Sequence, residues 1–260
     1  MIKKHLITCS VIVVLFIVSQ LFICSITIKR KAVSTRAAGV NSTSNISRFV
    51  KNNNSANFNF ADEDIPANNT QVNRKLQHSI WQNSFKYLGS DLLHRKAEEM
   101  FPIIEPILKA YGIPEDFKYV PLVESALDGG KSARGARGQW QFMPGTARTY
   151  GLRVGKGHDD RMDLRKSTIA ACVYLLELHS EFNNWTLTAA AYNLGSVKLE
   201  RAIKNGDKQR NYFKMHLNAE TGSYVYKLIA MKAVINRPTE YGYKNNYNWL
   251  RPSADLLASL

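Results

Sequence analysis

Cysteine is scarce in this chain. It occurs three times among 260 residues, and two of the three, Cys9 and Cys24, lie inside an apolar stretch at the N-terminus. The remainder has a single thiol, Cys172, which excludes an internal disulfide bond and a cysteine-based metal site there. Cys172 belongs to the apolar helical pattern IAACVYLLEL, so we expect it to be a small core residue.

Negative charge is also in short supply. The 21 Asp and Glu residues are outnumbered by 35 Lys and Arg residues, which gives a formal net charge of +14. Such an excess suits an anionic partner, such as nucleic acid, an acidic membrane surface or an acidic cell-wall polymer, although a merely solvated basic surface fits equally well. Because no recognisable nucleic-acid-binding module accompanies the charge, we predict no nucleic-acid partner.

Histidines at metal-ligand spacing are missing as well. The six histidines follow no such pattern. The run His158-Asp159-Asp160 is able to attract a cation, but a solvated loop is the favoured interpretation. We therefore predict no metal and no cofactor.

Long apolar runs are confined to the N-terminus. Lys3 and Lys4 precede Leu6–Ile28, an uncharged run rich in Val, Ile, Leu and Phe, and a bilayer core needs about 20 such residues. We predict that residues 1–28 are a retained transmembrane anchor, with a cleaved signal peptide as the open alternative. Positive charges flank both ends of the run, so they leave its orientation undecided.

The rest of the chain divides by composition. Residues 29–75 are rich in Asn, Ser, Thr and Ala, which predicts a flexible linker. From residue 76 the apolar spacing becomes helical, and no strand pattern longer than a few residues appears. We predict one mainly α-helical domain over 76–245 and a C-terminal tail over 246–260.

Proline and glycine set most of the expected helix limits. Pro102 and Pro106 predict either two helices or one kinked helix. Asp116 is a plausible N-cap for the next helix, and residues 131–143 are typical of a loop or small hairpin. The further helices are expected at 116–127, from Pro144, and at 166–182, 186–204 and 220–236.

Glu124 is the strongest candidate for a chemical role. Its sequence neighbours are apolar: Val120, Leu122, Val123, Ala126 and Leu127. A carboxyl group in such surroundings loses hydration, which raises its pKa and keeps a proton available near neutral pH, as a general acid requires. This helix alone fits a surface glutamate better, so the neighbouring motifs decide.

A loop and a later helix supply partners for such an acid. The sequence GQWQ, which contains Trp140, places an aromatic ring and amides beside flexible glycines. That arrangement suits stacking on sugar rings and bonding to hydroxyl or N-acetyl groups, with a core Trp140 as the alternative. On the helix, three alanines precede Tyr192 and Asn193. Tyr192 also fits a core ring, whereas Asn193 is unfavourable inside a helix unless it has a partner.

Four ordered motifs together carry a family resemblance. They are Glu124-Ser125, the loop GQWQFMPGTA, the helical segment AYNLG, and ETGSY, which ends at Tyr224. In this order they resemble the lytic transglycosylases of the goose-lysozyme-like superfamily, in particular the membrane-bound murein transglycosylase D type. The resemblance covers about residues 100–240. One departure is Gln139, which stands where the family usually has Leu.

The resemblance implies a mainly α, lysozyme-like transglycosylase SLT domain behind the N-terminal transmembrane helix, with a groove for glycan strands. It also implies an enzyme, a lyase that cleaves the β-1,4 bond between N-acetylmuramic acid and N-acetylglucosamine of peptidoglycan. The muramoyl 6-hydroxyl would close a 1,6-anhydro ring, so one carboxyl group suffices where ordinary glycosidases use two. The expected location is the cell envelope, with a membrane anchor and the catalytic domain on the periplasmic (outer) side of the cytoplasmic membrane.

Carried over residue by residue, the resemblance makes Glu124 the sole catalytic acid and base, with Tyr224 nearby to tune it. Ser132 corresponds to a family serine, although it lies one residue closer to Glu124 than the family spacing. The motifs and the resemblance together assign substrate binding to the side chains of Ser125, Ser132, Trp140, Gln141, Met143, Tyr192, Asn193 and Tyr224.

Two other functions stay open at this point. One is a hydrolytic muramidase of the same fold, which needs a second carboxylate to position a water. The acids available for it are Asp128, Asp159, Asp160 and Asp163. The other is a catalytically silent wall-binding protein, against which the presence of Glu124, Tyr192 and Tyr224 argues.

Overall fold

The described part of the chain begins as a small β-hairpin and continues almost entirely as helices. The structure is a computed structural model and describes residues 58–66, 68–125, 130, 132–206 and 210–243. The strands pair antiparallel in two hairpins, β1 (Asn59–Phe60) with β2 (Glu63–Asp64) and β3 (Val154–Gly155) with β4 (His158–Asp159). The predicted mainly α fold is confirmed.

The helices follow in chain order. The α-helices are α1 (Thr70–Asn83), α2 (Phe85–Leu88), α3 (Leu92–Ala110), α4 (Val120–Glu124), α5 (Pro144–Thr149), α6 (Leu164–Phe182), α7 (Trp185–Leu194), α8 (Ser196–Asn205) and α9 (Thr221–Asn236). Shorter 3₁₀ helices cover Glu115–Tyr119, Asp160–Met162, Tyr212–Lys214 and Pro238–Tyr241.

Helix α9 lies at the centre of the packing. Most of its residues are buried whichever way they point, as expected for a helix surrounded by protein. It packs against α1, α4 and α7, while α6 packs between α3 and α7. Ala189, Ala190 and Ala191 are fully buried, and their small side chains let α7 approach its neighbours closely. Cys172 is buried on α6, so its predicted core position is confirmed.

The predicted flexible linker is too long at its C-terminal end. Helix α1 begins at Thr70, capped by the side chain of Asn69, which accepts hydrogen bonds from two backbone amides of the first turn. Before it, Phe60 is completely buried and its ring contacts Phe117 at 5.2 Å between ring centres. Composition missed this segment because a few apolar residues in an Asn-rich stretch are enough to dock it on an existing core.

Pro102 and Pro106 do not divide the helix that contains them. Both lie inside α3, which runs unbroken from Leu92 to Ala110. The two prolines are four residues apart and thus share one side of the helix, and Pro102 is exposed to solvent. The opposite side buries Phe101 and Ile104, and this packing outweighs the hydrogen bonds that the prolines remove.

Two further helix predictions are wrong in detail. Asp116 does not cap a helix over 116–127; it lies within a 3₁₀ helix, and its Oδ2 accepts hydrogen bonds from the Ala61 amide at 2.7 Å and from Lys232 at 2.7 Å. The single helix expected over 186–204 breaks at Gly195, whose φ of +92° is left-handed. The break ends α7 directly after Asn193 and Leu194, which places Asn193 in its last turn.

None of the helices in the described ranges is long and apolar enough to cross a membrane. The predicted anchor at 1–28 and the predicted tail at 246–260 lie outside the described residues, so both stay predictions.

Candidate active site

Glu124 is the last residue of the short helix α4. Pro121 occupies the first turn of that helix, where its missing amide costs no hydrogen bond. Val120 and Leu122 are completely buried and hold α4 against α9 and α3, while Glu124 itself is half-buried. The carboxyl group therefore sits at the end of a firmly packed helix, with part of its surface accessible.

Burial raises the pKa of Glu124, and four neighbours modify the shift. The nearby Tyr224 hydroxyl lowers this pKa because it is able to donate towards the carboxylate, and the negative charge of Glu220 raises it. Lys227 and Asn193 both lower it. Because burial is the largest contribution, the carboxyl group holds its proton to higher pH than a solvated glutamate does, as the sequence predicted.

Tyr224 comes from α9 and is almost completely buried. Its hydroxyl has no hydrogen-bond partner of ordinary geometry in the described part of the chain, yet it lies close enough to Glu124 to influence that carboxyl group. Burial, together with the nearby Glu124 charge, raises the pKa of Tyr224 well above its usual range. The phenol therefore stays protonated and is a donor held ready beside the acid, since catalytic hydrogen bonds are often long before substrate binds.

The side chain of Asn193 has the hydrogen-bond partners that were expected for an asparagine inside a helix. Its Nδ2 donates to Glu220 Oε1 at 3.3 Å, and its Oδ1 accepts from the Thr221 hydroxyl at 2.8 Å. The amide thereby joins the last turn of α7 to the first turn of α9, close to Glu124. The sequence-based list of site residues lacked Glu220 and Lys227. The ETGSY motif already contained Glu220, and Lys227 follows Tyr224 by one helical turn.

The loop before α5 is held by its own backbone and by Arg161. Arg137 and Phe142 form an isolated antiparallel bridge, and the Arg161 guanidinium donates to the carbonyl oxygens of Gly135 at 2.9 Å and Phe142 at 3.0 Å. Gln141 adopts a left-handed backbone with φ of +48°. The loop or small hairpin expected over 131–143 is thus confirmed for the part that the structure describes.

The amide of Gln141 is used inside this loop. Its Nε2 donates to the Gly130 carbonyl at 3.0 Å and to the Gly138 carbonyl at 2.8 Å. These bonds draw the end of the loop towards the segment that follows Glu124. Gln141 therefore shapes the loop, and a role in substrate binding stays a proposal.

The predicted sugar-stacking role of Trp140 is wrong. Its ring is fully buried, and its indole Nε1 donates to the Thr168 hydroxyl at 2.9 Å. The carbonyl oxygen of Trp140 accepts a hydrogen bond from the Tyr192 hydroxyl at 2.7 Å, and the two rings lie 6.2 Å apart. Flanking glycines did not signal exposure. Trp140 instead forms the floor on which Tyr192 rests, and Tyr192 in turn lies near Glu124.

The remaining predicted residues occupy different surroundings. Ser125 is buried directly after Glu124. Ser132 closes a turn, since its hydroxyl oxygen accepts from the Ala136 amide at 3.0 Å. Met143, at the start of α5, is 42% exposed and presents a flexible apolar surface to solvent. Of these three, Met143 is the most available to a ligand.

Three of the four acids considered for positioning a water or a cation lie in the described part of the chain, and each of the three has a structural role. Asp159 pairs with Arg161 at 2.8 Å, and Asp160 pairs with Arg153 at 3.0 Å and Lys166 at 2.8 Å. The side chain of Asp163 caps α6. The fourth acid, Asp128, lies outside the described residues. Among the described residues no group of three His, Cys, Asp or Glu side chains is placed to hold a metal ion.

Comparison with known proteins identifies part of this architecture. Residues 102–214 match the family model described as Transglycosylase SLT domain. This segment is similar to a transglycosylase SLT domain, and it makes up less than half of the chain. Glu124, the loop before α5, and the Tyr192-Asn193 pair all lie within the match, whereas Glu220 and Tyr224 follow it.

Two named proteins are similar to this chain. Membrane-bound lytic murein transglycosylase D of Escherichia coli (strain K12) is 34% identical over 174 residues, which is 64% of this chain and 38% of that protein. A protein named for tributyltin chloride resistance, from Alteromonas sp. (strain M-1), is 29% identical over 52% of this chain and 64% of its own length. The predicted resemblance to the murein transglycosylase D type is confirmed, although the chain spans less than two thirds of either relative.

One solved structure is also similar. It is an inactive variant of the lytic transglycosylase Slt from Pseudomonas aeruginosa, with 24% identity and a TM-score of 0.41 over 56% of this chain and 25% of that one.

Proposed function

We propose that the protein is a peptidoglycan lytic transglycosylase that cleaves the β-1,4 bond between N-acetylmuramic acid and N-acetylglucosamine and forms a 1,6-anhydro-muramoyl end. The observation that carries this proposal is the Glu124 carboxyl, which lies within the SLT match, beside Tyr224 and Asn193, and whose pKa is raised by burial. The names of the murein-cleaving relatives support the substrate class.

In the proposed reaction Glu124 acts twice. Its carboxyl proton passes to the glycosidic oxygen, and the bond between that oxygen and C1 of the muramoyl residue breaks. The carboxylate then takes the proton from the muramoyl 6-hydroxyl while that oxygen forms a bond to C1. The carboxyl group ends protonated as it began, and no water is consumed. Tyr224, whose hydroxyl stays protonated, donates towards Glu124 in its ionised form and so makes the intermediate charge tolerable.

The substrate is proposed to lie along the surface beside Glu124. Met143 offers an exposed apolar contact, and Asn193 and Tyr192 flank the acid from α7. Ser125, Ser132 and Gln141 belong to the same region of the chain and stay proposed substrate-binding residues. The basic composition favours approach of an acidic wall polymer, and this attraction weakens with salt.

Hydrolysis with the same acid is the second candidate. Glu220 is a second carboxylate close enough to raise the pKa of Glu124, and a second carboxylate is what a water-using glycosidase requires. Its oxygen already accepts a hydrogen bond from Asn193, which favours a structural and electrostatic role over the activation of water.

The cellular setting is proposed along with the activity. We infer that the chain works in the cell envelope, anchored through residues 1–28, with the SLT domain on the outer side of the cytoplasmic membrane. The support is the apolar run Leu6–Ile28 and the name of the membrane-bound relative. Fractionation of cells that express a tagged chain, followed by protease treatment of spheroplasts, tests both the anchoring and the side of the membrane.

The reaction is tested by its products. Purified full-length chain is incubated with murein sacculi, and the released fragments are analysed by mass spectrometry. We expect muropeptides with anhydro-muramoyl ends, which are lighter than the hydrolysis products by one water. If every released fragment carries a reducing end, the protein is a hydrolase and Glu220 becomes the candidate for its second carboxylate.

Neutralising Glu220 is expected to move the pH dependence of cleavage. Catalysis requires protonated Glu124, so activity falls as pH rises through the pKa of that group. The Glu220 charge raises this pKa, and Glu220→Gln therefore shifts the alkaline limb of the pH–rate profile to lower pH. Initial rates of murein release across the pH range measure the shift. A limb that stays in place or moves upward contradicts this electrostatic role.

A further inference from the structure

The β1–β2 hairpin lies outside the SLT match but is bonded to the helix that carries two site residues. Glu63, on β2, accepts a hydrogen bond from the Trp185 amide at 2.6 Å through Oε1 and from the Thr186 amide at 2.9 Å through Oε2. Both amides belong to the first turn of α7. A carboxylate from a distant part of the chain thus caps the N-terminus of this helix.

Glu63 completes the N-terminus of α7. The first amides of a helix have no partners within the helix, and they carry the positive end of its dipole. Asn184 takes one of them, since its Oδ1 accepts from Leu187 at 2.8 Å. The amides of Trp185 and Thr186 donate their hydrogen bonds to Glu63. Thr186 is buried, so solvent is a poor replacement for the carboxylate.

The hairpin gives Glu63 a fixed support. Phe60 is completely buried against Phe117, whose ring contacts Trp185 at 5.4 Å. At the turn of the hairpin the Ala61 amide donates to Asp116. The hairpin is therefore held to the domain by a packed ring and a hydrogen bond independently of Glu63.

The far end of α7 carries the chemistry. Tyr192 is bonded to the Trp140 carbonyl, and Asn193 bridges to Glu220 at the start of α9. The middle of α7 contains the fully buried Ala189, Ala190 and Ala191, which have little freedom to absorb a displacement. Any shift at the N-terminus of α7 is thus transmitted along the helix to Asn193.

We propose that Glu63 is a positioning residue for the active site, which sets the placement of α7 and thereby of Tyr192 and Asn193 beside Glu124. The inference rests on the proposed function of that site. It extends the working unit of the enzyme to a hairpin that lies before the SLT match.

The test compares Glu63→Gln with Asp64→Asn in the purified full-length chain. Both variants remove one negative charge from β2, but Asp64 is exposed. Murein cleavage is measured well below the Tm of either variant, as kcat and KM separately. We expect Glu63→Gln to lower kcat by about ten-fold or more, since misplacement by an ångström costs up to about 100-fold. Asp64→Asn should match the unmodified chain.

The pH profile separates positioning from stability. The groups that face Glu124 are Tyr192, Tyr224, Asn193, Glu220 and Lys227. Because Asn193 lowers the pKa of Glu124, a loosened Asn193 moves the alkaline limb of the profile to higher pH. Glu63→Gln is expected to produce this shift, and adding it to Asn193→Ala should produce little more. A lower Tm with unchanged kcat and an unchanged limb overturns the proposal.

A measurement without substrate keeps this inference distinct from the proposed function. The pKa of the Glu124 carboxyl is followed by carbon NMR titration, with Glu124→Gln for assignment. A higher pKa in Glu63→Gln than in Asp64→Asn supports positioning even if the unmodified chain yields no anhydro ends, a result that rejects only the proposed activity. Equal pKa values in the two variants overturn the positioning role whatever the products are.

Discussion

Glu124→Gln is expected to abolish release of murein fragments while leaving the fold intact. Proton transfer by a positioned side chain contributes about 10²–10⁴-fold to a rate, and here one group serves as both acid and base, so we expect a loss of about 1,000-fold or more. Glutamine has nearly the same shape and carries no charge, and burial disfavours the charge of Glu124. The Tm should therefore stay the same or rise.

The matched control for this variant is Glu220→Gln, which makes the same chemical change in a residue that influences Glu124. It is expected to stay active with a shifted pH profile. Binding of both variants to insoluble sacculi, measured by co-sedimentation, should equal that of the unmodified chain. Undiminished fragment release by Glu124→Gln would remove the catalytic assignment and favour a wall-binding protein.

Much of the site was predictable because its chemistry is local in sequence. The apolar residues around Glu124 predicted a raised pKa, and burial is its main cause. The argument that Asn193 needs a partner inside a helix was also sound, since Glu220 and Thr221 supply it. In both cases the side chain's own helix carried the information.

What the sequence did not reveal depends on contacts between distant segments. Trp140 was expected in the groove because glycines flank it. Those glycines describe only backbone freedom, whereas the burial of the Trp140 ring depends on Thr168 and Tyr192. Glu63 lay in a stretch whose composition predicted a linker, yet it bonds to residues more than a hundred positions later. Such long-range partners leave no periodic signal in the chain.

The break between α7 and α8 was missed for a related reason. A glycine inside a helical pattern is tolerated at a modest cost, so the pattern alone does not show that Gly195 takes a left-handed conformation. In the structure Gly195 has φ of +92°. This break ends α7 just after Tyr192 and Asn193. Together with the cap at the N-terminus, it defines both ends of the helix that presents the pair.

Gly138→Ala is expected to be the most disruptive substitution in the loop before α5. Gly138 has φ of +77°, and a Cβ atom there would lie 1.8 Å from the carbonyl oxygen of Arg161. Arg161 is unable to retreat, because its guanidinium is bonded to Asp159 and to the carbonyl oxygens of Gly135 and Phe142. The backbone clash has no flexible side chain to relieve it, so a cost above about 4 kcal/mol is expected, in the range of exceptional substitutions.

Gly135→Ala separates this clash from ordinary backbone strain. Gly135 also has a left-handed conformation, with φ of +91°, but an added Cβ would meet no atom within 4 Å. The substitution is expected to lower the free energy of unfolding by only about 1–2 kcal/mol, the cost of a left-handed alanine. Denaturant unfolding of the two variants measures the difference. Equal losses of stability would show that the loop yields at Arg161.

The same pair of variants tests how the loop supports catalysis. If the Gly138→Ala loop moves away from Arg161, the Trp140 carbonyl moves with it and Tyr192 loses its hydrogen-bond acceptor. Cleavage by any folded Gly138→Ala protein should then fall far more than its remaining stability accounts for, whereas Gly135→Ala should retain most of the activity. Activity per folded molecule is obtained by scaling rates to the native fraction from circular dichroism. Proportional losses of rate and native fraction in Gly138→Ala would mean that the loop contributes to stability alone, and that Tyr192 is held in place without it.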